Sequence, residues 1–115
     1  MKLLVAFVPP SRLRAVLDLL QGAGVRSLST VDAQGLGRRR GGTRFYRGQE
    51  YAVDFAPEVR LEIVLDDEGL EPVIEAIRAA GRTGTEGRAG DARVIVLPVE
   101  EALRIRTGQV RTVAP

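Results

Sequence analysis

Two hydrophobic rhythms run along this chain. In residues 2–8, KLLVAFV, the positions Leu3, Val5 and Phe7 fall on one face of an extended strand, and Leu4, Ala6 and Val8 fall on the other. A strand apolar on both faces belongs in the middle of a sheet covered on both sides. Pro9 and Pro10 stop it, and Ser11 is placed to cap a helix. Leu13, Val16, Leu17 and Leu20 then recur at helical spacing, with Gly22 and Gly24 as the stop. Val25 to Val31 reads as a second strand, and its polar centre, RSLST, faces solvent or a ligand in part. Further on, Val59, Leu61, Ile63 and Leu65 alternate with Arg60 and Glu62. Asp66–Gly69 reads as a turn. Leu70, Val73, Ile74 and Ile77 repeat the helical pattern as far as Gly81.

A glycine-rich loop comes next at 82–91, RTGTEGRAGD, and then a fourth strand at Val94–Leu97. The last stretch suggests a short helical turn around Glu100–Leu103, an extended piece at Ile105–Thr107, and a tail without clear structure. The resulting order is βαββαβ. This is the α+β, ferredoxin-like split motif, a four-stranded antiparallel sheet with both helices on one face, in a single domain spanning 1–115. Two helices cover only one face, yet the first strand is apolar on both. Burial of the second face against sister subunits answers that mismatch better than a set of exposed aliphatics.

Composition narrows the chemistry. Of 115 residues 44% are hydrophobic but only 4% aromatic, so aliphatic packing carries the core. The chain has no cysteine, which removes disulfides and thiolate metal sites, and no histidine, which removes imidazole ligands and bases. The opening MKLLVAFVPP is broken too soon to span a membrane or to act as a signal peptide, so a cytoplasmic protein is expected. A catalytic centre would need paired carboxylates or a lysine. Lys2 is the single lysine, and Asp66–Asp67 reads as solvated surface, so no catalytic residue and no metal ligand is expected.

The net charge of +2 is modest but uneven. Residues 35–55, GLGRRRGGTRFYRGQEYAVDF, hold Arg38, Arg39, Arg40, Arg44 and Arg47 among glycines 37, 41, 42 and 48. A connection this long in a small domain is usually functional or disordered. Three readings compete: nucleic-acid binding by arginines with Phe45, Tyr46 and Tyr51 interleaved, insertion into a partner protein, or a solvated arm. The hydroxyl of Tyr51 is within reach of a modifying enzyme. Elsewhere, Arg104 and Arg106 would share a side if extended and could clamp a polyphosphate, with ordinary solvated arginines as the plain alternative. Arg93 opens the fourth strand just after Gly84–Gly90, whose glycines permit a close backbone approach to an anion. No Walker or dinucleotide motif is present.

Gly35-Leu36-Gly37-Arg38, Tyr46-Arg47-Gly48 through Glu50-Tyr51, Val53-Asp54-Phe55, and Leu97-Pro98-Val99 through Ile105-Arg106-Thr107-Gly108 together make the chain resemble the nitrogen-regulatory signal proteins of the PII family. The resemblance covers nearly the whole length. It implies a ferredoxin-like homotrimer that binds ATP or ADP in clefts between subunits, with Mg²⁺ as a companion. Residues 37–54 would form the long T-loop. That loop docks on ammonium channels, metabolic enzymes or transcription factors, bringing a cytoplasmic protein to the membrane when the partner is a transporter. The implied roles are Ser29 and the Gly35–Arg38 backbone, Gly37 included, at adenine; Arg38 near the phosphates; Thr83 and Gly84 opening the second nucleotide loop; and Arg104 and Arg106 gripping the phosphates. Arg47 would match the loop-tip arginine that plugs a channel pore, and Tyr51 the tyrosine that some members have uridylylated.

Three departures stand out. Arg39 replaces a glutamine that helps hold Mg²⁺ and 2-oxoglutarate, and a guanidinium cannot ligate a metal. Glu58 replaces a lysine that pairs with the 2-oxoglutarate carboxylate, and a negative side chain repels a dicarboxylate. Gly90-Asp91-Ala92-Arg93 stands for a Gly-Asp-Gly-Lys/Arg segment after about three extra residues, with Arg93 as its basic end and Ala92 narrower in conformational range than glycine. The expectation is a nucleotide-binding regulator and not an enzyme, in one of two forms. One is a nitrogen regulator reading ATP against ADP. The other is a divergent sensor of another small anion, such as bicarbonate, or of AMP. An RNA-binding module is a distant third, and no nucleic-acid partner is expected.

Overall fold

A computed structural model describes residues 1–36, 44–46, 49–51, 55–82 and 92–111. In chain order the elements are β1 (Lys2–Val8), a 3₁₀ turn (Pro10–Arg12), α1 (Leu13–Gly22), β2 (Ser29–Leu36), β3 (Arg44–Tyr46), β4 (Gln49–Tyr51), β5 (Phe55–Leu65), α2 (Asp67–Ala80), β6 (Arg93–Pro98), β7 (Ala102–Arg104) and β8 (Gln109–Arg111). The main sheet has the order β2-β5-β1-β6 with every neighbouring pair antiparallel, which is the ferredoxin-like arrangement the sequence predicts.

The register explains the two-faced first strand. Leu4 lies opposite Ile63 and Val96, and Ala6 opposite Leu61 and Val94, so these residues share the helix side of the sheet. Val16 and Leu20 of α1 and Val73, Ile77 and Ala80 of α2 close over them, forming one aliphatic core. On the other side, Leu3 lies opposite Val64 and Leu97, and Val5 opposite Glu62 and Ile95. Here Val64 is 38%, Leu97 45% and Ile95 48% exposed, while Val5, in an inner strand, is buried. No described helix covers this open face.

Local chemistry sets the ends of the helices. After α1, the N–H groups of Ala23, Gly24 and Val25 donate back to carbonyls at 19–21, and Gly24 takes φ +91°, a left-handed turn that suits glycine. Ser11 does not cap α1: it lies inside the 3₁₀ turn, and the residue preceding the helix is Arg12, without a side-chain cap. Asp66–Gly69 is not a separate turn either. Asp66 precedes α2, Asp67 and Glu68 fill its acidic first turn, and Asp67 accepts from the Met1 amino group at 3.1 Å. Among the described residues no helix is long and apolar enough to cross a membrane.

The remaining corrections concern strands. The second strand starts four residues later than expected and continues to Leu36, because Val25 and Leu28 pack onto the helix-side core. Within the long connection, β3 and β4 pair antiparallel, Arg44 opposite Tyr51 and Tyr46 opposite Gln49, where no regular element was expected. Near the end, Ala102–Arg104 is β7 and not a helical turn, and residues 105–108 turn instead of extending. The tail returns as β8, with Leu103 opposite Val110. Gly108 closes that hairpin with φ +68° and an N–H bond to the Arg104 carbonyl at 2.8 Å.

Candidate functional site

The open face carries charge as well as aliphatic surface, and the two are segregated along the strands. Leu3, Val64, Ile95 and Leu97 occupy one end. Phe7, Glu58, Arg60 and Arg93 occupy the other, next to Gly35 at the far end of β2. Strand register brings this group together. Phe7 stands opposite both Arg60 and Arg93, and Glu58 stands opposite Ala33, two residues before Gly35 on the same face.

At its centre is a fork. Arg93 donates through Nη1 to Glu58 Oε1 at 3.1 Å and through Nη2 to Glu58 Oε2 at 3.3 Å. The guanidinium carbon lies 4.5 Å from the centre of the Phe7 ring, within cation–π range. The Arg93 side chain is 55% exposed, but that of Glu58 only 10%. The carboxylate lies against the Cα of Gly35, where a Cβ would overlap both of its oxygens. Gly35 is therefore glycine for a close approach, and the atoms that approach belong to this chain. Beside the fork, Arg60 Nε lies 3.0 Å from Glu62 Oε1, near enough for charge attraction but not aligned for a hydrogen bond, and Nε is hidden from solvent.

Ala92, just before Arg93, packs its methyl group where a side chain at Gly81 would have to go, and its N–H donates to the Gly81 carbonyl at 3.1 Å. The positions flanking the second glycine-rich loop are thereby held together.

The other expected site residues divide into three groups. Ser29 is exposed and opens β2, opposite Glu62. It lies six positions from Gly35, about 20 Å along an extended strand, so one adenine ring cannot touch both in a single chain. Clefts flank the two ends of β2. One, beside Glu58, includes Pro10, Asp32 and Gln34; the other includes Gly24, Arg26, Ser27 and Val64. Arg104 ends β7, and Arg106 lies in the following turn, so the alternation that was to place them on one side does not apply. Both are exposed, and neither has an ion-pair partner among the described residues. Gly37, Arg38, Arg39, Arg47, Thr83, Gly84, Gly90 and Asp91 lie outside the described residues. Of Tyr51, the backbone is placed, as the last residue of β4.

Sequence reading missed the Phe7–Arg93–Glu58 contact, which needs three strands in register. It also missed the β7–β8 hairpin, for which Thr107-Gly108 was an available turn signal.

Comparison with known proteins agrees with the fold. Residues 1–109 match the family described as nitrogen regulatory protein P-II. The chain is 48% identical over 109 residues to the nitrogen regulatory protein P-II of Rhizobium meliloti (strain 1021), covering 95% of each chain. It is 46% identical to that of Mesorhizobium japonicum and 44% identical to that of Azospirillum brasilense, again over 95% of each. With the strand order, the helix-covered face and near full-length identity in agreement, the chain belongs to the nitrogen regulatory protein P-II family.

Proposed function

We propose that this protein is a homotrimeric regulator of nitrogen metabolism that binds ATP and ADP between subunits. It acts without catalysis of its own, through residues 37–54, on partner proteins such as an ammonium transporter or a metabolic enzyme. The observation that carries this reading is the placement of Ser29 and Gly35 at opposite ends of β2. Residues of one adenine site that lie about 20 Å apart in one chain meet only if the site is built from two chains. The exposed aliphatic end of the open face, with Val64, Ile95 and Leu97, offers the surface that such an assembly would bury. In the assembled protein Arg38, Arg93, Arg104 and Arg106 act on the phosphates, Thr83, Gly84, Gly90 and Asp91 form the second nucleotide loop, and Arg47 and Tyr51 serve the loop's exchanges with partners.

Calorimetric titration with ATP and with ADP, each with and without Mg²⁺ and 2-oxoglutarate, tests this reading, together with light-scattering mass in solution. Saturable nucleotide binding by a particle of three chains is the expected result. Absence of nucleotide binding overturns it. One observation favours a second reading, a divergent sensor of another small anion such as bicarbonate, or of AMP. The Glu58 carboxylate occupies the approach to Gly35, which places a negative charge where a dicarboxylate would need a positive one. Nucleotide binding in which 2-oxoglutarate never takes part supports this version.

A further inference from the structure

We propose that Glu58 is a built-in competitor for the nucleotide's phosphates: its carboxylate holds the Nη1/Nη2 edge of the Arg93 guanidinium, and a phosphate bound at that edge must displace it. The proposal rests on the nucleotide reading above and assigns Glu58 the role of setting affinity.

Three observations carry it. First, Arg93 uses two N–H groups on Glu58, at 3.1 and 3.3 Å. The Nη1/Nη2 edge of a guanidinium holds one planar or tetrahedral anion at a time. A phosphate that takes this edge leaves Glu58 without its cation, and a carboxylate only 10% exposed is costly to leave uncompensated. Second, the guanidinium rests on the Phe7 ring at 4.5 Å, so it cannot swing toward a distant phosphate without giving up that contact. Arg60, which like Arg93 lies opposite Phe7, pairs with Glu62. Third, the same carboxylate is packed against Gly35, so it is held beside the fork by its own contacts. Glu58 thus neutralises Arg93 from a fixed position in the chain.

The consequence is a site with its affinity held down by its own residue. Displacement of Glu58 is required for phosphate to take the Nη1/Nη2 edge of Arg93, and the displaced carboxylate then repels the phosphate that replaced it.

The test is titration of ATP into the full chain and into its Glu58→Gln, Arg93→Gln and doubly substituted forms, with thermal unfolding of each as a check on folding. Glutamine keeps the shape of Glu58 and removes its charge; Glu58→Ala is the second variant should Glu58→Gln fold poorly. ATP should bind Glu58→Gln about fivefold more tightly than the parent, the upper end for a half-exposed ion pair, and Arg93→Gln more weakly. With Arg93 already replaced, Glu58→Gln should change affinity by less than about twofold, since the two residues act as one unit. Unchanged or weaker binding by Glu58→Gln overturns the proposal while leaving the nucleotide reading intact. An equal gain with and without Arg93 also overturns it, because the effect is then a general loss of negative charge. If none of the four proteins binds ATP, the nucleotide reading falls and the proposal falls with it.

Discussion

On the helix side of β5, Leu61 is 0% and Ile63 2% exposed; one residue on, facing the other way, Val64 is 38% exposed. Across β1 and β6 the contrast is weaker: Val5 on the open face is 5% exposed, and Val96 on the helix side is 36% exposed against 48% for Ile95. Each face carries aliphatic residues, the open one together with a charged group. The difference lies in what covers them: two helices of the same chain on one side, and no described element on the other. Strand alternation prepares both faces for burial, but a chain of 115 residues supplies helices for one. The charged group of Phe7, Glu58, Arg60 and Arg93 sits on the open face. The covered face therefore builds the fold, and the open one carries aliphatic and charged side chains that no described element covers.

Substitutions on the two faces should separate these roles. The largest effect is expected from Ile95→Asp, which places an unpaired charge in the proposed subunit interface and should reduce the light-scattering mass to that of a single chain. A mass equal to the parent's would mean that the open face is not covered by copies of the chain. Next comes Leu61→Ala, fully buried under the helices, which should lower unfolding free energy by about 2–5 kcal/mol in urea titrations. If Leu97→Ala, on the open face, costs as much in a protein kept dissociated by dilution, the contrast between the faces fails. Gly81→Ala should cost about 1–3 kcal/mol, because the added Cβ meets Ala92 and the rigid Ile77 carbonyl. Smallest is Arg14→Ala on the outer surface of α1. Its ion pair with Asp18 spans 3.9 Å between well-exposed side chains, and its loss should change stability by less than about 0.5 kcal/mol.

The sequence made the repeating elements legible and hid those defined by pairing. β1, α1, α2 and the middle of β5 announce themselves because each carries its apolar residues at a fixed interval. β2 was misplaced by four residues. Val25 and Leu28 look like strand residues but belong to the core beneath the helices, whereas Asp32 and Gln34 look like loop and belong to a strand edge. The hairpin of β7 and β8 is short, and each strand has mainly its partner to define it. At the site, Arg93 was legible as a residue suited to an anion, Gly35 through the family resemblance as part of an adenine site, and Glu58 as a charge out of place. That Glu58 lies on Gly35 and in the fork of Arg93 depends on register across β2, β5, β1 and β6, which no single stretch of sequence contains.

The bond between Gly81 and Ala92 has a consequence for how such a protein can vary. It ties a neck around whatever lies between those residues, just before β6 joins β1. Closing a longer loop costs little, because the entropy grows only with the logarithm of its length, and a fixed neck keeps added residues from shifting the strand beyond. The register of Ala6 with Val94 and of Leu4 with Val96 is thereby insulated from the loop. A change of a few residues in the 82–91 stretch is, on this view, one the sheet does not feel. The segment can be lengthened, shortened or recomposed by mutation while Arg93 keeps its place over Phe7, on a fold that stays fixed.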